Sequence, residues 1–169
     1  MLLIVCNDVL MTLIIGEALN RRADLQKRIA QLQDRVSACV LAQEGEEPPE
    51  NPDELLAEHA SLCDELEGLI AKINHTNATA RLAGGETVTE GLARRDALAL
   101  RQGALRAAIK AATGGSLGLG LTRYSRSEIR LVRQVRVSEL QSRLDQLAKE
   151  RRELDNRLQE NNWQATLIE

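Results

Sequence analysis

The sequence predicts a mainly α protein built from long antiparallel helical hairpins. Three observations predict it: apolar residues recur at alternating spacings of three and four, Pro- and Gly-rich breaks separate those stretches, and the aromatic content is 1% with no Phe. Such spacing returns side chains to one face of a 3.6-residue helix, and sustained over several turns it makes the seam of coiled-coil-like packing. The scarcity of rings leaves Leu, Ile, Val and Ala to fill thin layers between helices. Four helices and one short extended or β segment near 124–136 make up the expected fold.

The first helix is expected from about Met11 to Ala42, on the seam Ile15, Ala18, Leu25, Ile29, Leu32, Val36 and Cys39, broken only by Arg22. The acidic run from Gln43 to Asn51 holds Gly45, Pro48 and Pro49 and cannot propagate a helix, so the chain turns there. Asn51 then reads as an N-cap, Pro52 as the first helical residue, and Asp53 and Glu54 as acids favourably placed at the positive end of a helix dipole. The second helix carries Leu55, His59, Leu62, Leu66, Leu69 and Ile73, widened by Leu56, Cys63 and Ile70 into a broad apolar face. It is expected to end near Arg81 to Ala83, with Gly84-Gly85 supplying the left-handed C-cap.

Thr87 followed three residues later by Glu90 is a capping-box pattern, and it opens a third helix with Val88, Leu92, Leu98, Leu105, Ile109 and Ala112 on its seam. The run from Gly114 to Leu121 breaks that helix. From Arg123 to Val137, the β-branched residues and the partial alternation Ile129, Leu131, Val135, Val137 favour a strand or extended arm over a helical arginine stripe. The fourth helix follows on Val137, Leu140, Leu144, Leu147, Leu154 and Leu158, ending near Trp163. The first two helices carry more apolar width than one neighbour covers, which predicts burial between subunits of a homo-oligomer.

Residues 1–10 are expected to be a non-native or disordered extension, with Met11 the natural start, and 11–169 a single helical domain. Met1 to Ile15 is apolar, but it lacks a basic start, is interrupted by Asn7 and Asp8, and is shorter than the ~20 residues that span a bilayer. Neither secretion nor membrane association is expected, and a cytoplasmic location follows. The three cysteines, Cys6, Cys39 and Cys63, form no CxxC pair, which argues against disulfides and a zinc site and suits a reducing compartment.

No catalytic constellation is visible. His59 and His75 lie too far apart for neighbouring turns of one helix, and Asp64, Glu65 and Glu67 lack the Glu-x-x-His spacing of carboxylate-bridged metal bundles. No metal or cofactor is therefore implied, and the protein is not expected to be an enzyme. A net charge of −3 supplies no global field for nucleic acid, and stacking aromatics are nearly absent, so nucleic acid is not an expected partner. Arg123, Arg126 and Arg130, with Tyr124, are the candidates for gripping an anionic ligand or partner, because guanidinium groups clamp phosphate or carboxylate bidentately. The competing expectation pairs these arginines with carboxylates of the acidic helices or of another subunit.

Polar residues also occupy seam positions where aliphatic ones are expected: Arg22, Asn77, Arg95, Arg151 and Asn161. A buried Arg or Asn costs stability but can fix helix register and oligomeric state. Asn74, Asn77, Arg95, Asp96, Arg151 and Asn161 are thus the candidate polar contacts between helices or subunits. The alternative is an enzyme site between subunits around Asn77, Arg95, Asp96 and Tyr124.

Six blocks in order, Leu25-Gln-Lys-Arg-Ile29, Gln43-Glu-Gly-Glu-Glu-Pro48, Ile73-Asn-His-Thr-Asn77, Leu92-Ala-Arg-Arg-Asp-Ala-Leu98, Arg123-Tyr-Ser-Arg-Ser-Glu-Ile129 and Glu160-Asn-Asn-Trp163, resemble the septicolysin-like family of small bacterial proteins. The resemblance covers nearly the whole chain from about Ile15. It implies a helix-rich, oligomeric bacterial protein, and its name implies a membrane-active cytolysin. In that reading the Gly-rich loop from Gly114 to Leu121 is a hydrophobic tip that inserts shallowly into lipid.

Overall fold

The computed structural model describes residues 13–114 and 132–168 and folds them as four helices, α1 (Ile15–Cys39), α2 (Pro52–Thr79), α3 (Val88–Ala112) and α4 (Val137–Gln164). The protein is mainly α, as its apolar spacing predicts. The described residues fall into two compact units, 13–81 with 160–168, and 82–114 with 132–159.

In the first unit α1 and α2 pair antiparallel. Besides Ile15 and Ile73, their buried residues are Ala18, Leu25, Leu32 and Cys39 on α1 and Leu55, Leu62, Leu69 and Thr76 on α2, each of these two sets spaced by seven. Seven residues are nearly two helical turns, so each set forms one line along its helix and the two lines face each other. Ile29, Val36 and Leu66 pack against this line and stay partly exposed. Outside it, Arg21 meets Glu65 at 2.7 Å, Arg28 meets Glu58 at 3.8 Å and Arg35 meets Glu50, an order that reverses along the partner as two antiparallel segments require.

Both ends of this hairpin are fastened locally. The Asn51 side chain accepts from the Asp53 N–H at 3.0 Å with Pro52 at the first helical position, so the predicted α2 start stands. The Gln43 carbonyl accepts from the Glu46 N–H at 2.9 Å in a tight turn whose third residue, Gly45, takes φ +88°. At the other end residues 165–168 run beside the start of α1. The Ile15 N–H donates to the Ala165 carbonyl and the Leu167 N–H to the Leu13 carbonyl, at 2.9 and 2.8 Å. The chain's own tail thus satisfies one of the orphan donors of α1.

The second unit holds α3 and all but the last turn of α4. Leu82, Val88, Leu98, Leu154 and Leu158 are buried there. Leu82, Leu158 and Leu154 of this set lie against Gly91. The capping box at Thr87 is formed: its hydroxyl accepts from the Glu90 N–H at 3.2 Å, and the Glu90 carboxylate accepts from the Thr87 N–H at 2.7 Å.

Several boundaries differ from expectation. α1 stops at Cys39 rather than Ala42, because Val40 and Leu41 leave the seam and stand 55% and 86% exposed, burying nothing that would extend the helix. α2 stops at Thr79, and Gly84-Gly85 do not cap it. Its C-cap is Ala80 in extended backbone, which brings Leu82 to a buried position, and Gly85 takes its φ of +85° in a later turn where its N–H donates to the Leu82 carbonyl. Of the extended or β segment expected near 124–136, residues 124–131 lie outside the described residues, and 132–136 carry no strand. The expected extension at 1–10 also lies outside them.

Candidate functional site

In the second unit the α3–α4 seam is apolar near Gly91 and turns polar midway. Leu98, Gln102 and Leu105 follow one another on α3 at helical spacing, as Leu147, Arg151 and Leu154 do on α4, so Gln102 and Arg151 stand where two leucines would continue the packing. Both line a cleft of about 430 Å³ with Asp145, Ala148, Arg152 and Asp155.

Gln102 is 1% exposed. Its carbonyl oxygen accepts from an Arg106 terminal nitrogen at 3.4 Å, while its amide nitrogen is buried and donates to nothing. The Nε of Arg151 is likewise buried without a hydrogen bond; the Asp155 carboxylate lies 3.7 Å away, an ion pair too long to accept that proton. Each unpaired buried donor costs about 1–3 kcal/mol. The two residues line one cleft, and no described residue sets an acceptor against either donor.

A second groove, of about 630 Å³, lies between the same helices and is apolar, with Ala104, Leu105, Ala108 and Leu147 inside and Arg101 and Arg143 among its edges. The small side chains Ala104 and Ala108 explain it, since they leave the outer halves of α3 and α4 without the bulk that fills the packing around Gly91. Near that packing, Glu86 forms ion pairs with Arg157 at 3.3 Å and Arg94 at 3.7 Å, without a hydrogen bond to its Oε1. Arg94 also donates to Glu150, a bond that raises its pKa above the ordinary guanidinium value.

The other sequence-predicted residues are scattered. Arg95 pairs at 3.1 Å with its chain neighbour Asp96, a surface contact that orders no second helix. Asn74 is exposed, Asn77 is half-buried, and the Asn161 amide nitrogen is buried without a partner, all in the first unit. The Arg22 Nε is in the same condition as Asn161. Arg123, Tyr124, Arg126 and Arg130 lie outside the described residues, so the anion-gripping segment and the Tyr124 part of the alternative enzyme site do too. His59 makes an i, i+4 contact with Cys63, Nδ1 to Sγ at 3.7 Å. Among the described residues no three His, Cys, Asp or Glu side chains are placed to hold a metal ion. No described helix is long and apolar enough to cross a membrane.

Gln102 is absent from the sequence-predicted candidates, although its place between Leu98 and Leu105 is the same signal that marks Arg151. The heptad-spaced Arg21, Arg28 and Arg35 were equally legible as an ion-pair ladder.

A family model described as a family of unknown function (DUF6847) matches residues 22–167. Among solved structures, a functionally unknown conserved protein from Corynebacterium diphtheriae is similar to this chain, with 33% sequence identity and a TM-score of 0.79 over 92% of this chain and 99% of that one. None of the curated proteins matches. These findings overturn the septicolysin-like resemblance, because the model that spans the same residues is that of the unknown-function family. The six blocks misled because four of them sit in charged heptad helices, where Leu, Arg, Glu and Gln recur at fixed spacing for packing reasons alone. The cytolysin alternative entered only through that resemblance.

Proposed function

The chain belongs to the DUF6847 family, a family of unknown function, and on that premise we propose that it is a non-catalytic helical interaction protein of the cytoplasm that works as a homo-oligomer. The observation that carries this reading is a second apolar line on α2. Leu56, Cys63, Ile70 and Asn77 follow one another at seven-residue spacing, each one residue beyond the buried line of Leu55, Leu62, Leu69 and Thr76. Leu56 is 50% exposed and the other three are half-buried. The buried line is what α1 covers; the second line repeats the spacing this chain already uses to pair helix with helix, and α1 does not cover it fully.

A second copy offering the same face fits such a line, because an isologous contact sets a patch against itself. Asn77 at the end of the line would fix register, as a lone polar residue does in a coiled-coil seam. The free thiols of Cys39 and Cys63 suit a reducing compartment.

Sedimentation at micromolar concentration tests the reading. The protein is expected to run as an oligomer, and the double variant Leu56→Lys with Ile70→Lys as a monomer of unchanged helical content. A monomeric parent protein would overturn self-association.

A further inference from the structure

We infer that the cleft between α3 and α4 at Gln102 and Arg151 is a binding site for a small molecule bearing an oxyanion, a carboxylate or phosphate group. Gln102 and Arg151 line this cleft, and each keeps a buried donor, the Gln102 amide nitrogen and the Arg151 Nε, with no acceptor among the described residues. The acceptors nearby are otherwise placed: the Gln102 carbonyl takes a hydrogen bond from Arg106, and the Asp155 carboxylate stands 3.7 Å from Arg151 Nε. Buried donors that lack an acceptor define the missing partner as an acceptor. An oxyanion has several lone pairs and so can serve an amide N–H and a guanidinium N–H at once, which a hydroxyl does less well.

The surroundings narrow the ligand further. Arg151 and Arg152 are matched in charge by Asp145 and Asp155. The lining therefore carries no excess positive field, and a bare halide gains little there; selection rests on directed hydrogen bonds. The cleft, at about 430 Å³, suits a small metabolite-sized molecule rather than a polymer. Were packing the only demand, Leu at position 102 would continue the line of Leu98 and Leu105 without an unpaired group.

Calorimetric titration and thermal melting with acetate, succinate and inorganic phosphate, at ionic strength matched with sodium chloride, test the site. At least one of the three is expected to bind saturably and to raise the Tm by about 3 °C at ten times its Kd, with no rise in chloride alone. Whichever anion acts tells carboxylate from phosphate as the source. Gln102→Leu is expected to fold with an unchanged or higher Tm and to weaken binding at least tenfold. Arg151→Met is expected to weaken it similarly, which keeps the test decisive if one variant folds poorly. No saturable response to any of the three anions, or an equal response in the parent and both variants, would overturn the inference.

Discussion

Gly91 and Leu82 touch so closely that a Cβ built on Gly91 would stand 2.7 Å from Leu82 Cδ1, with Leu158 Cδ2 at 3.4 Å behind it. Leu82 is only 4% exposed and cannot swing away into solvent. Gly91 is therefore a packing glycine, and not merely a residue of low helix propensity. Its replacement by Ala gains about 1 kcal/mol of helix propensity and loses about 1–3 kcal/mol to overpacking.

Gly103, on the same helix, has nothing within 4 Å of its built Cβ. Gly103→Ala should raise the unfolding free energy by the full propensity gain of about 1 kcal/mol, read as a higher urea midpoint, while Gly91→Ala should leave the midpoint unchanged or lower it. Equal gains from the two variants would show that the Leu82 contact is soft.

Arg35 binds Glu50 bidentately through one guanidinium edge, with Nε donating to Oε2 at 3.0 Å and Nη2 donating to Oε1. This bond holds the Glu50 carboxyl below the ordinary carboxylate pKa. A folded pKa depressed below the unfolded one means stability that is present above the unfolded value and lost as pH falls through the folded one. The melting temperature of the parent should therefore exceed that of Glu50→Gln at neutral pH. The gap should close as pH falls through the carboxylate range, and shrink at high salt because both side chains are largely exposed. A gap independent of pH would assign the effect to helix packing.

How much of this could be read from the sequence depends on how local its cause is. Asn51 and Thr87 were legible as caps because a cap is made by residues two or three apart. The seams were legible because a helix converts spacing into a face, and Leu25, Leu32, Leu62 and Leu69 are buried as that spacing demands. The end of α2 is not legible at Gly84-Gly85, because Leu82 packs against Gly91 on another helix. Arg95 and Arg151 look alike in sequence, yet one is held by its neighbour Asp96 and the other lines a cleft with Gln102; only the α3–α4 pairing separates them.

Leu154 is fully buried, and it lies within reach of Gly91 on α3. Leu154→Ala removes that filling from a thin aliphatic layer with no aromatic ring to collapse into the gap. A loss of about 2–5 kcal/mol is expected. Leu100→Ala is the control: Leu100 is 77% exposed and should change the unfolding midpoint little.

Thr76, 1% exposed, ties the chain's end to α2. Its hydroxyl donates to the Lys72 carbonyl at 2.8 Å and accepts from the Ile168 N–H at 3.0 Å, so one atom both closes a helical turn and holds the tail. Thr76→Val keeps the volume and removes the acceptor, which leaves the Ile168 N–H without a protein partner. Because that group is only partly buried, water replaces part of the lost bond, and the expected loss is about 1 kcal/mol. The larger effect is local: hydrogen exchange at Ile168 and Leu167 should speed up, while exchange in the α1–α2 seam at Leu25 and Leu62 stays protected. Unchanged exchange at Ile168 would mean that the Leu167 bond to Leu13 holds the tail by itself.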